Sequence, residues 1–265
     1  VIKLHNRLAE YSLGGHWQPR EKNPDLVPHL WPWSVIHSCL MESGEVIKLG
    51  GIDDAAKRRT VQLVNPALTN KKATTRTLQM SIQLVKPGER AECHRHTAAA
   101  LRFVVEADGT GYTNVEGEQM LMEPGDLVLT PNWTWHDHRN DSSLPIIWLD
   151  GLDGPLIHNF NVLFFEEFTS EVQAIIRPDG DSGRRFSFAR FPLDGDTGLT
   201  GTPFRYRWDE TYAALKSINN TAADPYDGAL IRFVNPHSGG FTLPTISCEM
   251  QLLKPGCKTM SHRHT

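Results

Sequence analysis

The chain repeats part of itself. LVNP at 63–66 recurs as FVNP at 233–236, QLVKPG at 83–88 as QLLKPG at 251–256, and HRHT at 94–97 as HRHT at 262–265. The offsets are 170, 168 and 168 residues, and the order is the same in both copies. Matches in one order at nearly one spacing indicate a duplicated supersecondary unit rather than one undivided core. The second copy reaches its histidine pair at Thr265, so the expectation is a native protein that continues for most of another module.

The texture of the repeated unit is β. Short alternating or β-branched runs, such as RRTVQLVNP (58–66), TRTLQMSIQLVKPGE (75–89) and GDLVLTP (125–131), are separated by Pro-Gly, Asp-Gly and Glu-Gly turns. Strands of this length with a turn every 8 to 12 residues or so predict an antiparallel sandwich or small barrel. Around HLWPWSVIH (29–37) helix and loop are both open. A polar stretch rich in Gly, Pro and Asp at 178–203 reads as a linker or long excursion. WDETYAALKSI (208–218) reads as a short helix with Asp209 and Glu210 in its first turn.

Composition removes several classes of function. Lys+Arg is 27 against Asp+Glu 31, for a net charge of −4, and no basic block breaks the balance. Neither a nucleic-acid surface nor an anionic membrane surface is expected. No apolar run approaches the roughly 20 residues of a membrane helix. Charges in residues 1–10 stand where a signal peptide needs an apolar stretch. The cysteines at 39, 93, 248 and 257 form no CxxC pair. A cytoplasmic chain is the default.

The chemistry concentrates in His94, His96, His136 and His138. Residues two apart on a strand share a face, so His94 and His96 present two imidazoles to one point. His136 follows about 40 residues later, where a hairpin return brings it alongside. Three neutral imidazoles suit Fe, Zn, Cu or Ni.

These segments resemble the cupin superfamily. Gly88 precedes His94-Arg95-His96 by the spacing of the first cupin motif, and Gly125, Pro131, His136 and Asn140 match the second, with Trp133 in place of its middle glycine. Where the first motif places a glutamate ligand, this chain has Ala100 and Leu101. A divalent metal held by three neutral ligands keeps its full charge and open positions, which favours a bidentate dianion plus one small molecule.

RRTVQLVNP, HRHTAAALRFVVE (94–106), GDLVLTPNWTWHDH (125–138) and WLDGLDGPL (148–156) resemble gentisate 1,2-dioxygenase and its salicylate and 1-hydroxy-2-naphthoate dioxygenase relatives. The resemblance implies an all-β bicupin: two jelly-roll β-barrels, the second incomplete in this chain, with a few short helices. It divides the chain into an N-terminal helical or loop region (1–57), a first cupin domain with the metal site (58–170), a linker with a helical excursion (171–228), and the start of a second cupin domain (229–265). It implies Fe(II) on His94, His96 and His136, and ring cleavage of an ortho-hydroxy aromatic acid by O2, with gentisate giving maleylpyruvate. A homotetramer or other homo-oligomer is implied, with iron in the first module.

Further site residues follow from strand parity and the resemblance together. If the strand runs unbroken from His94, Arg102 shares the parity of the ligands, and an inward arginine near a dication implies an anionic substrate between them. His138 shares the parity of His136; it reads as a pocket residue able to hydrogen-bond a substrate hydroxyl, or as a solvent-facing rim histidine. Gln79, Ser81 and Gln83 form the polar row of one strand, which faces either solvent or the pocket, and the resemblance draws Gln83 inward. Arg58 matches a carboxylate-binding arginine of the family, with Arg59 the alternative, because a one-residue slip flips every side chain. Asp150 matches an acid near the ligands or is a plain turn aspartate. Cys93 should point to the sheet side. The competing functions are a non-catalytic sensor of aromatic acids and a Zn-type sugar isomerase or epimerase. The intact histidines argue against the first, and the missing glutamate and inward Arg102 against the second.

Overall fold

The computed structural model describes Glu10 and residues 26–49, 57–186, 204–221 and 224–262. Two sheets dominate. One contains β1 (Thr60–Gln62), β2 (Gln79–Val85), β4 (Ala100–Glu106), β7 (Leu127–Thr130), β9 (Ile146–Leu152) and β11 (Arg205–Tyr206), in the order β1-β2-β9-β4-β7-β11. The other contains β3 (Arg90–His96), β5 (Tyr112–Val115), β6 (Glu118–Leu121), β8 (His136–Arg139) and β10 (Phe165–Glu167), in the order β10-β3-β8-β5-β6. The strand pairings are antiparallel, and the architecture is mostly β with few helices, as the sequence resemblance implies.

The space between the sheets is divided into an apolar end and a polar end. Val85, Val104, Val128 and Trp148 from the first sheet meet Val115, Met120 and Met122 near the second in one buried cluster. Beyond it, the buried interior is polar: Ser81, Gln83, Arg102, Thr113, Thr130, His94, His136, His138 and Asp150. Such a row costs stability unless it is hydrogen-bonded or occupied, which marks it as functional ground.

The alternation in β2 takes an unusual form here, because both of its faces are buried. The outer row, Ile82 and Leu84, packs under Ile36 and Leu40 of α1 (Trp33–Val46) together with Ile147. This helix begins directly after Pro32, whose extended backbone makes the entry turn. At Gly44 a Cβ would lie 3.1 Å from Leu84 Cδ2 and 3.2 Å from Lys86 Cδ, so glycine permits the helix to sit this close. The inner row is left to Ser81 and Gln83, which are 5% and 3% exposed. The solvent-facing reading of that row therefore fails for both residues.

After β9 comes a short helix, α2 (Gly154–Asn159), and the segments after β10 stay against the same sheets. Ser182, in α3 (Asp181–Phe186), donates its N–H and Oγ–H to buried Glu118 at 3.0 and 2.9 Å. Arg205 of β11 joins Asp126 at 2.7 Å, and Phe204 enters the apolar cluster. The heart of the excursion read at 178–203, residues 187–203, lies outside the described residues. The expected helix forms as α4 (Trp208–Thr221).

The duplication is visible as a repeated register. β1 pairs with β2 through Thr60–Gln83, Val61–Ile82 and Gln62–Ser81. β12 (Ala229–Arg232) pairs with β13 (Glu249–Leu252) through Leu230–Gln251, Ile231–Met250 and Arg232–Glu249. These are the same pairs shifted by the sequence offsets of 170 and 168. Residues flanking this second hairpin, Phe233, Leu243 and Ile246, pack on the outer face of the first sheet against Leu127, Leu129 and Ala99.

Candidate metal centre and its cavity

β3 supplies His94 and His96, and β8 supplies His136 directly opposite His94 in the ladder. A register irregularity between Ala91 and His94 re-aims the end of β3, as bulges beside functional sites do. One nitrogen from each of the three rings lies within 4.8 Å of the others, the only such cluster of potential metal ligands among the described residues. Ring centroids are 4.4 Å apart for His94–His136, 4.9 Å for His96–His136 and 5.4 Å for His94–His96.

Each imidazole is oriented in the same way. The Nδ1 of His94 faces Glu92 O at 3.2 Å, that of His96 faces Ala98 O at 2.8 Å, and that of His136 faces Thr134 O at 3.0 Å. A carbonyl only accepts, so for His96 and His136 this contact assigns the proton to Nδ1 and leaves the Nε2 lone pair free for a metal, whereas His94 Nδ1 also meets the Arg58 guanidinium, which only donates. His136 Nε2 is buried without a hydrogen-bond partner, which fits a nitrogen that ligates a metal. Burial lowers the pKa of His94 to about 2, aided by the Arg58 charge, and that of His96 to about 4. Burial likewise holds His136 and His138 well below the ordinary range. All four are neutral at pH 7, the form that ligates, and the donor set fits a divalent transition metal.

The position of the missing glutamate is filled by Ala100, fully buried at the start of β4, so no carboxylate joins the three imidazoles. Arg102 lies two residues further on, and the structure corrects the premise that placed it. β3 ends at His96, the chain turns over 97–99, and β4 belongs to the opposite sheet. Arg102 is nevertheless internal, because β4 lines the cavity from the other side. Its Nη1 donates to Thr130 Oγ1 at 2.9 Å, and its Nε stands 3.3 Å from Asp150 Oδ1.

Asp150 is buried in β9 and accepts from Trp148 Nε1 at 2.9 Å, so it is not a free turn residue. Burial raises its pKa, and the Arg102 charge opposes that rise. Arg58 places Nη2 2.8 Å from Glu92 O and against the His94 ring, and burial followed by the Arg102 charge lowers its pKa to about 10. Arg59 is occupied elsewhere: its guanidinium binds Glu89 and donates to Ile47 O at 2.7 Å and Leu84 O at 3.1 Å. Of the two arginines, Arg58 is therefore the one beside the histidines.

His138 is buried, not on a rim. Its Nδ1 is 2.9 Å from Thr113 Oγ1, whose hydrogen reaches Met122 Sδ, and its Nε2 has no partner. Gln83 Nε2 is likewise buried and unpartnered. Cys93 is buried, and desolvation pushes its thiol up to about 12. It borders a side cavity of about 170 Å³ with Lys57, Arg58, Glu92, His94, Phe165 and Glu167.

Sequence reasoning missed Thr113, Thr130, Trp148 and Phe165. Trp148 shares the parity of Asp150, and Thr130 adjoins the motif's Pro131. Thr113 and Phe165 carried no signal, because their strands are placed only by tertiary pairing.

A facing pair of antiparallel sheets around three convergent imidazoles defines a cupin metalloprotein. A family model described as "Cupin domain" matches residues 81–151. The chain is 36% identical to gentisate 1,2-dioxygenase 1 of Aquipseudomonas alcaligenes over 99% of its length and 77% of that protein's. It is 37% identical to a 1-hydroxy-2-naphthoate dioxygenase of Nocardioides over 98% of its length and 68% of the relative's. The crystal structure of salicylate 1,2-dioxygenase from Pseudoaminobacter salicylatoxidans with gentisate superposes with a TM-score of 0.80 at 34% identity, covering 94% of this chain and 71% of that one. The chain belongs to the gentisate 1,2-dioxygenase family of cupin ring-cleaving dioxygenases.

Proposed function

We propose that the protein is an Fe(II)-dependent dioxygenase that opens the ring of an ortho-hydroxy aromatic acid, with gentisate and O2 giving maleylpyruvate. One observation carries this reading: three neutral histidines without a carboxylate ligand stand beside two arginines, half-buried Arg58 and buried Arg102, whose charge partners are Asp150 and Glu92. A divalent metal on the three histidines would add two positive charges that Asp150 and Glu92 do not offset, and a substrate bearing a carboxylate and an acidic hydroxyl supplies the balance.

His94, His96 and His136 would hold the iron, which when bound would supply an electron path between the electron-rich ring and O2. Arg102 and Arg58 bind the carboxylate through charge-assisted hydrogen bonds. Asp150 keeps Arg102 oriented. His138 offers its free Nε2 to the hydroxyl proton, with Thr113 fixing the tautomer. Gln83 donates its free amide N–H to a substrate oxygen. Gln79 and Ser81 wall the cavity and bear on substrate choice.

We extend the reading to organisation. The first cupin domain over 58–170 carries the site, with 171–186 and 204–206 docked on it, and a second unit begins near 229. The enzyme works in the cytoplasm as a homotetramer or other homo-oligomer. The four cysteines are all free, and no described helix is long and apolar enough to cross a membrane.

An oxygen-electrode panel of gentisate, salicylate and 1-hydroxy-2-naphthoate on the iron-loaded protein tests the assignment. The highest kcat/KM is expected for gentisate. Tight binding of these acids without oxygen uptake would replace the enzyme by a sensor, and turnover of another acid alone would reassign the substrate.

A further inference from the structure

The face of β3 opposite the histidines carries Arg95, between two metal ligands in sequence. Its guanidinium carbon lies 4.4 Å from the ring centroid of Trp133 and 4.3 Å from that of Trp135, both well inside cation–π range. Its Nε and Nη2 donate to Glu166 Oε2 at 2.8 and 2.6 Å. One side chain thus joins β3, the turn leading into β8, and β10.

Every limb of this clamp touches a histidine-bearing segment. Trp133 has φ +60°, the left-handed region that disfavours a bulky residue, and stands where the second cupin motif has glycine. It is held there by Arg95 and by its own N–H donating to His96 O at 2.8 Å. Trp135 immediately precedes His136; its N–H donates to Glu116 Oε1 at 2.6 Å and its ring meets Phe168 at 4.9 Å. Phe165, next to Glu166, stacks on His94 with centroids 4.9 Å apart and planes 24° apart.

We propose that Arg95, clamped between Trp133 and Trp135 and tied to Glu166, is a positioning residue that sets the spacing of His94 and His96 against His136 from the far side of the sheet. The β3–β8 ladder cannot do this alone, because its register is irregular between Ala91 and His94. An exposed arginine–glutamate pair by itself fixes little. Two indoles held on one planar cation, which is itself tied to Glu166, fix the separation of the strands that carry them.

The inference rests on the metal reading of the three histidines, and the test keeps the two apart. Metal-stripped wild type, Arg95→Met, Arg95→Lys and Trp135→Leu are titrated with Co(II), followed by absorption, with far-UV circular dichroism as the folding control. Failure of the wild type to bind Co(II) would sink the metal reading. If it binds, Arg95→Met is expected to bind about tenfold more weakly, as loss of an outer-shell support does, with displaced ligand-field bands. Arg95→Lys, which keeps a cation between the rings, should recover most of the affinity. A wild-type affinity and spectrum in Arg95→Met, even with a lower Tm, would overturn the proposal by making the clamp merely structural. Should Arg95→Met fail to fold, Trp135→Leu decides in the same way: weakened binding with displaced bands supports the clamp, and unchanged Co(II) binding ends it.

Discussion

β2 and β13 are nearly the same strand in two settings. They carry QLVKPG and QLLKPG and hold the same register against β1 and β12. In β2, Leu84 and Val85 are fully buried, under α1 on one side and against the apolar cluster on the other. In β13, Glu249 and Gln251 are exposed, and β12 is its one sheet partner among the described residues. Local sequence therefore sets pairing and register, whereas burial is conferred by what lies above and below. The polar row of a strand becomes a ligand cavity only where its apolar row is covered from outside.

The histidines offer the sharpest test of that contrast. His94→Ala should abolish stoichiometric metal and turnover, whereas His262→Ala, at the repeated position, should leave both intact. His262 is exposed and pairs with Asp227 at 3.2 Å. Metal analysis of the two purified variants checks this, and metal loss in His262→Ala would make the two modules functionally equivalent.

A core comparison comes next. Leu84→Ala removes a fully buried side chain and should cost about 2–5 kcal/mol in denaturant unfolding. Leu252→Ala, its half-buried counterpart, should cost about 1 kcal/mol or less. Equal losses would mean that β13 is as enclosed as β2.

The arginines give a smaller effect. Arg102→Ala should raise the KM for an aromatic acid by an amount equivalent to about 1.5–3 kcal/mol, through loss of a charged hydrogen bond. Arg232→Ala, in the exposed Arg232–Glu249 pair, should change neither KM nor stability by more than about 0.5 kcal/mol. Steady-state kinetics and a melting curve on both variants suffice.

The last effect is in acid. His94 and His96 have folded pKa values lowered to about 2 and about 4 from 6.5, so the unfolded chain binds their protons first as pH falls. The stability associated with these residues is complete above pH 6.5, declines as pH drops below it, and stops declining for His96 near pH 4 and for His94 near pH 2. Tm of the metal-free protein against pH, with His96→Gln flattening the slope between 6.5 and 4, reads this out.

The alternating runs, the turn signals and the repeat contained the β architecture, and histidine parity with the cupin spacing contained the metal triad. Two other inferences reached their residues by incomplete routes. Arg102 was assigned by continuing a strand that in fact ends at His96. The solvent alternative for Ser81 and Gln83 survived because nothing in their own strand records that α1 covers the opposite face. Arg58 and Arg59 could not be separated from sequence, since the choice depends on Glu89 and on the carbonyls of Ile47 and Leu84. Trp133 looked like a lapse in the motif, and its left-handed backbone shows that the glycine conformation survives without the glycine.

The cavity's charge has a reach beyond contact distance. The whole chain carries a net charge of −4, yet the site holds Arg58 and Arg102 with Asp150 and Glu92 as their charge partners, and its histidines stay neutral. Divalent metal adds two more positive charges and removes none. A low-dielectric cleft whose metal-loaded charge is positive focuses field lines toward its mouth, so an approaching anion is drawn in there. Discrimination against uncharged aromatic compounds then begins during diffusion, and it weakens as salt shortens the range of that field.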